Sequence, residues 1–509
     1  MGFVNETFGT VPHFTNLFGF LVTTLLLLCG LTWWNDIRNY LQRRKKLIAF
    51  AKTLPGPPTR PILGNALELW ESDKASLIFA KISRDLDAPL FRFWLGPVLK
   101  VIVTDPRDFE IILSSMKSTH KDPVYQLMKP IVEYGLINTE GAVYRSHKKL
   151  LLSILNHGSV MNKYVELFNY YSKMFVASLE RKIGGGEFDV EEDVKRCIGH
   201  LAFETLMGAV DNSEIKEHNP FVEKADHALG IFINRIARPW LFPNFIFKLT
   251  QQGRSFYQIS DQTHAFVNNM IETKKSEYKT SHEKVMSPLL DSLIDHVIKT
   301  GTWSEQELRD EIITTFVGLN DTIGGLLCFA TLMLAMHPQV QERARAEVKK
   351  VVGDDDLTME TIPELIYIDM IVRETIRLFP VGPLLPRIST EPIELTTCTV
   401  PEGCSLYMVP FATHRDPRYW ENPEEFIPER FTPENSRNRH PFAFLPFSSG
   451  FRSCPGSKYG MMSLKVLVAY IVRSFHLEST MKLNKIQLHT HISTRSSDGY
   501  KLSVQKTVN

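Results

Sequence analysis

The sequence has almost no net charge: 58 lysines and arginines stand against 57 aspartates and glutamates, leaving +1. So balanced a chain sets up no overall field for nucleic acid or an acidic polymer, and neither is expected as a partner. Cysteine is scarce, with six in 509 residues. Cys29, Cys197, Cys328, Cys398, Cys404 and Cys454 fall into no Cys-x-x-Cys or zinc-ligand spacing, so they read as reduced thiols of a cytosol-facing protein. No repeat of solenoid length and no low-complexity tract is present. Gly184-Gly185-Gly186 is not followed by Gly-Lys-Ser/Thr, which excludes a phosphate loop and leaves a turn between helices. What is plentiful is ordinary globular composition, 43% hydrophobic and 23% charged, enough for a large buried core.

Charge is also missing from Leu17 to Trp34, a stretch of roughly 18 residues, near the minimum for a helix that spans a bilayer. Glu6 is the only acidic or basic side chain before this run, whereas Arg38, Arg43, Arg44, Lys45 and Lys46 follow it. The positive-inside bias then places the remainder of the chain in the cytosol, with Trp33 and Trp34 at the interface. A cleaved signal peptide would need a basic leader and a small-residue cleavage site, and neither is visible. Residues 1–35 therefore read as a luminal tail and a single N-terminal transmembrane helix, with Asn5-Glu6-Thr7 as a formal sequon. Prolines between Leu54 and Gly64 forbid a helix and give an extended connector, so 36–64 reads as a basic and proline-rich hinge and 65–509 as the main domain.

A lone cysteine is ordinarily a small buried hydrophobe. Cys454 has different company: Phe447-Ser448-Ser449-Gly450-Phe451-Arg452-Ser453-Cys454-Pro455-Gly456. Gly450 and Gly456 permit a tight loop that turns amides toward the sulfur, and Arg452 offers a rigid fork of donors to a carboxylate. Such surroundings suit a thiolate on a haem iron with the haem propionates beside it. The complete Phe-x-x-Gly-x-Arg-x-Cys-x-Gly spacing resembles the haem-binding loop of the cytochrome P-450 family of haem-thiolate monooxygenases. That resemblance implies a mainly α fold with a smaller β region. It also implies haem b with Cys454 as axial ligand, and Phe447, Arg452 and Gly456 at the cofactor.

Further segments extend the resemblance over nearly the whole chain. Alternation in 90–95 and 99–103 reads as a strand pair turning at Gly96-Pro97. Ser304-Glu305-Gln306-Glu307 is a capping box opening a long apolar helix that contains Gly318-Leu319-Asn320-Asp321-Thr322. Polar groups inside an apolar helix need partners. A solvent-facing side is one reading; the other is a local opening where Thr322 holds dioxygen and water while Asp321 supplies protons.

Glu311, Thr314, Asp321 and Thr322 match the oxygen-binding helix of the family-four branch, insect and vertebrate. Gly318 replaces the glutamate that some members esterify to haem, and Leu319 and Ile323 replace smaller or polar residues. Leu319 is expected to crowd the oxygen pocket. Tyr144 and Lys148 occupy the family's Trp-x-x-x-Arg positions and, with Arg387, would reach haem propionates. A solvated basic helix face is the other reading of Tyr144 and Lys148. Glu374-x-x-Arg377 and Arg430 resemble the family's buried structural charge network. Arg437, Arg439, His440 and Lys458 are either solvated surface or a positive face for an acidic electron donor.

The function so implied is a monooxygenase of the endoplasmic reticulum membrane, an insect-like microsomal member of the family-four clan. It would hydroxylate or epoxidise a lipophilic small molecule such as a fatty acid, hormone, pheromone or xenobiotic. Electrons would come from NADPH through cytochrome P-450 reductase, with cytochrome b5 as a further donor. Two alternatives stand beside it: a haem-thiolate isomerase or dehydratase, and a membrane-tethered haem-binding protein without oxygenase activity.

Overall fold

Apolar residues at helical spacing dominate the middle and end of the chain, and in the computed structural model they form a helix bundle beside a small sheet. The structure describes residues 12–208, 220–280, 289–490 and 492–507. Two compact units divide at Leu54 and Pro55.

In the first unit, α1 (Pro12–Thr53) is one continuous helix. The basic stretch expected to open the hinge is therefore helical, since arginine, lysine and leucine are good helix formers and no proline intervenes before Pro55. Trp33 and Trp34 are exposed. Residues 1–11, with the expected luminal tail and the Asn5 sequon, lie outside the described residues. Among the described residues one helix is long and apolar enough to cross a membrane, Glu305–Met336, and 83% of its apolar window is buried. Such burial makes it a core helix of the second unit.

The second unit begins with the proline run, which carries no helix and is bonded to the sheet: the Arg92 N–H donates to the Pro55 carbonyl at 2.8 Å. Strands β1 (Leu90–Leu95) and β2 (Val98–Val103) pair antiparallel around the expected Gly96-Pro97 turn. With β3 (His120–Lys121), β4 (Leu385–Ile388) and β5 (Ser405–Met408) they form a sheet ordered β1-β2-β5-β4-β3. The β2–β5 pair is parallel, while β5–β4 and β4–β3 are antiparallel. Near the C-terminus β6 (Leu488–Thr490) and β7 (Thr494–Ser496) make a hairpin.

The bundle elements that matter for the site are α2 (Gly141–Leu155), α3 (Gly158–Glu180), α4 (Glu191–Met207), α5 (Pro220–Ile236), α6 (Gln251–Thr280), α7 (Glu305–Met336), α8 (Ile366–Leu378) and α9 (Ser457–Ser474). Helix α7 starts at the expected capping box: the Ser304 side chain accepts from the Glu307 N–H at 3.1 Å, and the Glu307 carboxylate accepts from the Ser304 N–H at 2.8 Å. It then packs against α4, α6, α8 and α9. Leu308, Ile312, Phe316 and Leu327 on it are fully buried, each worth roughly 1.5–3 kcal/mol of hydrophobic transfer. The bundle closes around α7.

Candidate functional site

The cysteine loop, residues 447–456, is built by backbone constraint. Gly450 has φ +68°, and a Cβ there would lie 2.0 Å from the Leu113 carbonyl oxygen, so both conformation and space demand glycine. The Cys454 N–H donates to the Phe447 carbonyl at 2.9 Å and the Ser453 N–H to the Gly450 carbonyl at 3.1 Å. This folds the loop back on itself. The Cys454 side chain is accessible, yet burial is the largest influence on its thiol and pushes its pKa up; the Gly456 amide and the Lys148 ammonium work in the opposite direction. The sulfur is thus reachable although protein surrounds most of it.

Helix α2 supports this loop from outside. The Lys148 ammonium donates to the Phe451 carbonyl at 2.8 Å, the Ser453 carbonyl at 2.8 Å and the Ser453 hydroxyl at 3.1 Å. The Tyr144 hydroxyl donates to the Phe451 carbonyl at 3.1 Å. Both were expected to reach propionates. In the structure Lys148 makes three hydrogen bonds to the loop, so this residue braces the segment that carries Cys454.

Positive charge collects beside the loop. The Arg452 guanidinium lies 3.7 Å from the Tyr144 ring centroid and donates to the Thr119 and Thr139 carbonyls at 2.8 and 2.7 Å, while its Nη1 is buried without a partner. Arg387 is buried on β4 and donates to the Pro386 carbonyl at 2.9 Å. Directly across the β3–β4 pair from it stands Lys121, which sequence reasoning missed. Burial first, then Arg387 and Arg452, hold the Lys121 pKa well below the usual lysine range. Burial also lowers the pKa values of Arg387 and Arg452.

Like charges directly opposite on neighbouring strands repel. Among the described residues, the acidic side chain acting on Lys121 is Glu140, which also pairs with His120 at 3.4 Å. Three cations with so little counter-charge, one of them holding an orphaned donor, fit a ligand that carries two carboxylates. With the enclosed sulfur of Cys454, the donor set suits haem and its propionates. Lys121 and Arg387 lie far apart in sequence, and only strand register brings them together.

A second open place lies on α7. Gly318 has nothing within 4 Å of where a Cβ would stand, and the Thr322 hydroxyl donates to its carbonyl at 2.6 Å. These residues share a helix face at i, i+4. Leu319 and Ile323 form the neighbouring face: Ile323 is buried, and Leu319 packs half-buried against the main core. Leu319 thus turns at least part of its side chain to the main core, one step around the helix from Gly318 and Thr322. Asp321 is buried and its carboxylate accepts from Arg495 of β7 at 2.6 Å. Arg495 was not anticipated, because nothing near it in sequence suggests chemistry.

Toward the start of α7, His147 of α2 lies 2.7 Å from Glu311 and 3.3 Å from Glu307. Farther from the loop, Glu374 and Arg377 of α8 meet Arg430 in a buried cluster. Arg377 donates to the Glu374 carboxylate at 2.7 and 2.8 Å and Arg430 donates to it at 3.2 Å. Arg377 also donates to the His414, Pro423 and Glu425 carbonyls, tying α8 to the segment before the cysteine loop.

Comparison with known proteins gives a concordant result. The family profile described as Cytochrome P450 matches residues 54–504. Cytochrome P450 4d2 of Drosophila melanogaster is 30% identical over 474 residues, 89% of this chain and 93% of the relative. Cytochrome P450 4c3 of the same organism is 28% identical over 491 residues, 91% of each chain. Cytochrome P450 4V2 of Homo sapiens is 29% identical over 433 residues, 82% of each chain. Among solved structures, the haem domain of a cytochrome P450DA mutant superposes with TM-score 0.77 at 22% identity, covering 89% of this chain and 98% of that one.

Proposed function

Because the chain belongs to the cytochrome P450 family and is a haem-thiolate monooxygenase, we propose that it inserts one oxygen atom into a lipophilic small molecule of the fatty acid, hormone, pheromone or xenobiotic type. Electrons come from NADPH through a membrane reductase, with cytochrome b5 as a second donor. The run from Leu17 to Trp34 anchors the protein in the endoplasmic reticulum membrane, with the catalytic domain in the cytosol. Two features support this reading: the apolar run followed by basic residues, and family-four relatives from insects and vertebrates.

The observation that carries it is the enclosed Cys454 sulfur beside three under-compensated cations. Haem, when bound, supplies a redox-active iron whose thiolate ligand favours O–O cleavage. Cys454 provides that thiolate, and the Gly456 amide and Lys148 stabilise its charged form. Arg452, Arg387 and Lys121 would hold the propionates; Tyr144 and Lys148 fix the loop. Phe447 and Gly456, in the same loop as Cys454, would lie on the sulfur's side of the cofactor. On α7, Thr322 holds a hydroxyl proton in the open notch and Asp321 supplies the next one.

Glu374, Arg377 and Arg430 keep the structure around the loop rigid. A small cavity lined by Ile131, Leu229, Phe232, Phe256, Ile313 and Val317 lies between α5, α6 and α7, and its lining is apolar rather than charged.

The deciding experiment combines purified enzyme, reductase, NADPH and dioxygen with an unbiased metabolite screen. Mono-oxygenated lipophilic products support the proposal; consumption of NADPH with no product from any extract argues for a haem-binding protein without oxygenase activity. Replacing Cys454 with alanine should abolish the red-shifted spectrum of the reduced carbon monoxide complex, and its retention would overturn the ligand assignment.

A further inference from the structure

Asp321 does not stand alone on α7. Nη2 of Arg495 donates to its carboxylate at 2.6 Å and to its backbone carbonyl at 3.1 Å, and Nε of the same guanidinium donates to the Ser493 hydroxyl at 3.1 Å. Room for this comes from Gly325, where a Cβ would meet Nε of Arg495 at 3.3 Å and its Cζ at 3.4 Å. The glycine lets the planar group lie against the helix. The hairpin that delivers it is fixed at its base, since the Thr494 hydroxyl donates to the Pro380 carbonyl at 2.8 Å and the Tyr500 hydroxyl accepts from the Ser496 N–H at 3.0 Å.

Beyond Arg495 the charges alternate. Nη1 of Arg495 lies 4.0 Å from Glu191, Glu191 lies 3.1 Å from Lys195, and Lys195 lies 3.5 Å from Asp226. The side chains of Glu191, Lys195 and Asp226 are about 30% accessible, against 10% for Arg495 and 4% for Asp321. A ladder of alternating sign thus runs from the buried carboxylate on α7, through β7 and α4, to partly solvated groups on α4 and α5.

We propose that Arg495 is a positioning residue for proton supply: it holds the Asp321 carboxylate beside the Gly318–Thr322 notch and joins it to the solvated end of the ladder. This rests on the monooxygenase reading above. Arg495 does not carry the proton, because a guanidinium stays protonated in proteins. Burial works against its charge, and Asp321 and Tyr500 outweigh that and raise its pKa further. The proton arrives from solvent at the Asp226 and Glu191 end through water. Asp321 receives it as a carboxylic acid and passes it toward the Thr322 hydroxyl, returning to the carboxylate that Arg495 holds.

The test uses the full-length haem-loaded protein as wild type, Arg495→Gln, Arg495→Lys, Asp321→Asn and the Arg495→Gln/Asp321→Asn double variant. Product formed per NADPH consumed should fall roughly tenfold in Arg495→Gln, less than the roughly 10²–10⁴ that a positioned proton donor is itself worth. Hydrogen peroxide should rise in step and the solvent deuterium effect on turnover should grow. The spectral shift on substrate binding should not change, and Arg495→Lys should recover most of the lost coupling.

Unchanged coupling and an unchanged solvent isotope effect in a folded Arg495→Gln protein would overturn the proposal. Independently of turnover, a double-mutant cycle on thermal unfolding should show that the two single losses exceed the loss in the double variant. Strictly additive losses overturn the pairing even if wild type proves to make no product, an outcome that would sink the monooxygenase reading separately.

Discussion

Lys121 and Arg387 face each other in the β3–β4 register, two cations on one cross-strand pair. Direct like-charge opposition costs up to about 1 kcal/mol in a sheet, and burial adds to it. Such a site is stable when an anion lies between the two strands' side chains.

Replacing Lys121 with methionine should therefore act in opposite directions on two states. The haem-free protein should unfold at a higher temperature by calorimetry, by the equivalent of up to about 1 kcal/mol. The haem-loaded variant should release haem faster to a scavenging apoprotein. A variant that loses stability in both states would show that Lys121 serves the fold and not the cofactor.

Lys148 holds three acceptors of the cysteine loop and lowers the Cys454 pKa against the effect of burial. In Lys148→Met the thiol should hold its proton to higher pH. The pH at which the reduced carbon monoxide complex converts from the thiol-ligated to the thiolate-ligated spectrum should rise accordingly. An unshifted conversion would leave Lys148 with a role in folding alone.

His147 and Glu311 form a buried pair at 2.7 Å. Burial opposes the charged imidazole, but Glu311 and Glu307 outweigh it and raise its pKa above 6.5; burial raises the Glu311 pKa above 4.5. The folded pair therefore binds its protons more tightly than the unfolded chain does. Stability from His147 is fully present below about pH 6.5 and is lost as pH rises through the raised value. The difference in unfolding temperature between wild type and His147→Gln should shrink from about pH 6 to about pH 8.5, and a constant difference would refute the linkage.

Glu374 accepts from Arg377 twice, from Arg430 and from the Ile427 N–H at 2.9 Å, all in a buried site. Glu374→Gln leaves two arginines without their counter-charge. Unfolding in urea should show a loss of roughly 3–5 kcal/mol, typical of a broken buried pair. A loss below about 1 kcal/mol, the scale of an exposed pair, would place the network at the surface.

The parts legible in the sequence were those whose meaning is local. The cysteine loop packs its turn residues, its arginine and its ligand into one short stretch, and α7 shows its capping box and apolar run directly. The Glu374–Arg377 pair is separated by a single helical turn. What escaped was set by register and long-range packing. Lys121 acquires its role only when β3 lands against β4, and Arg495 only when a C-terminal hairpin lies over Gly325. Lys148 was legible as a donor beside the cysteine loop, but its bonds to the Phe451 and Ser453 carbonyls were not, since a sequence does not show which loop atoms an ammonium meets.

The close approach of Gly450 to the Leu113 carbonyl has a consequence for how this molecule can change. Leu113 belongs to the helix Pro106–Ser114, which contributes no side chain to the chemistry. Yet its backbone is the floor on which the sulfur-bearing loop rests. The depth of the thiolate is thereby inherited from a helix that follows the sheet. Substitutions along 106–114 that tilt this helix would retune the cofactor from a distance, while every residue at the reaction centre stayed the same.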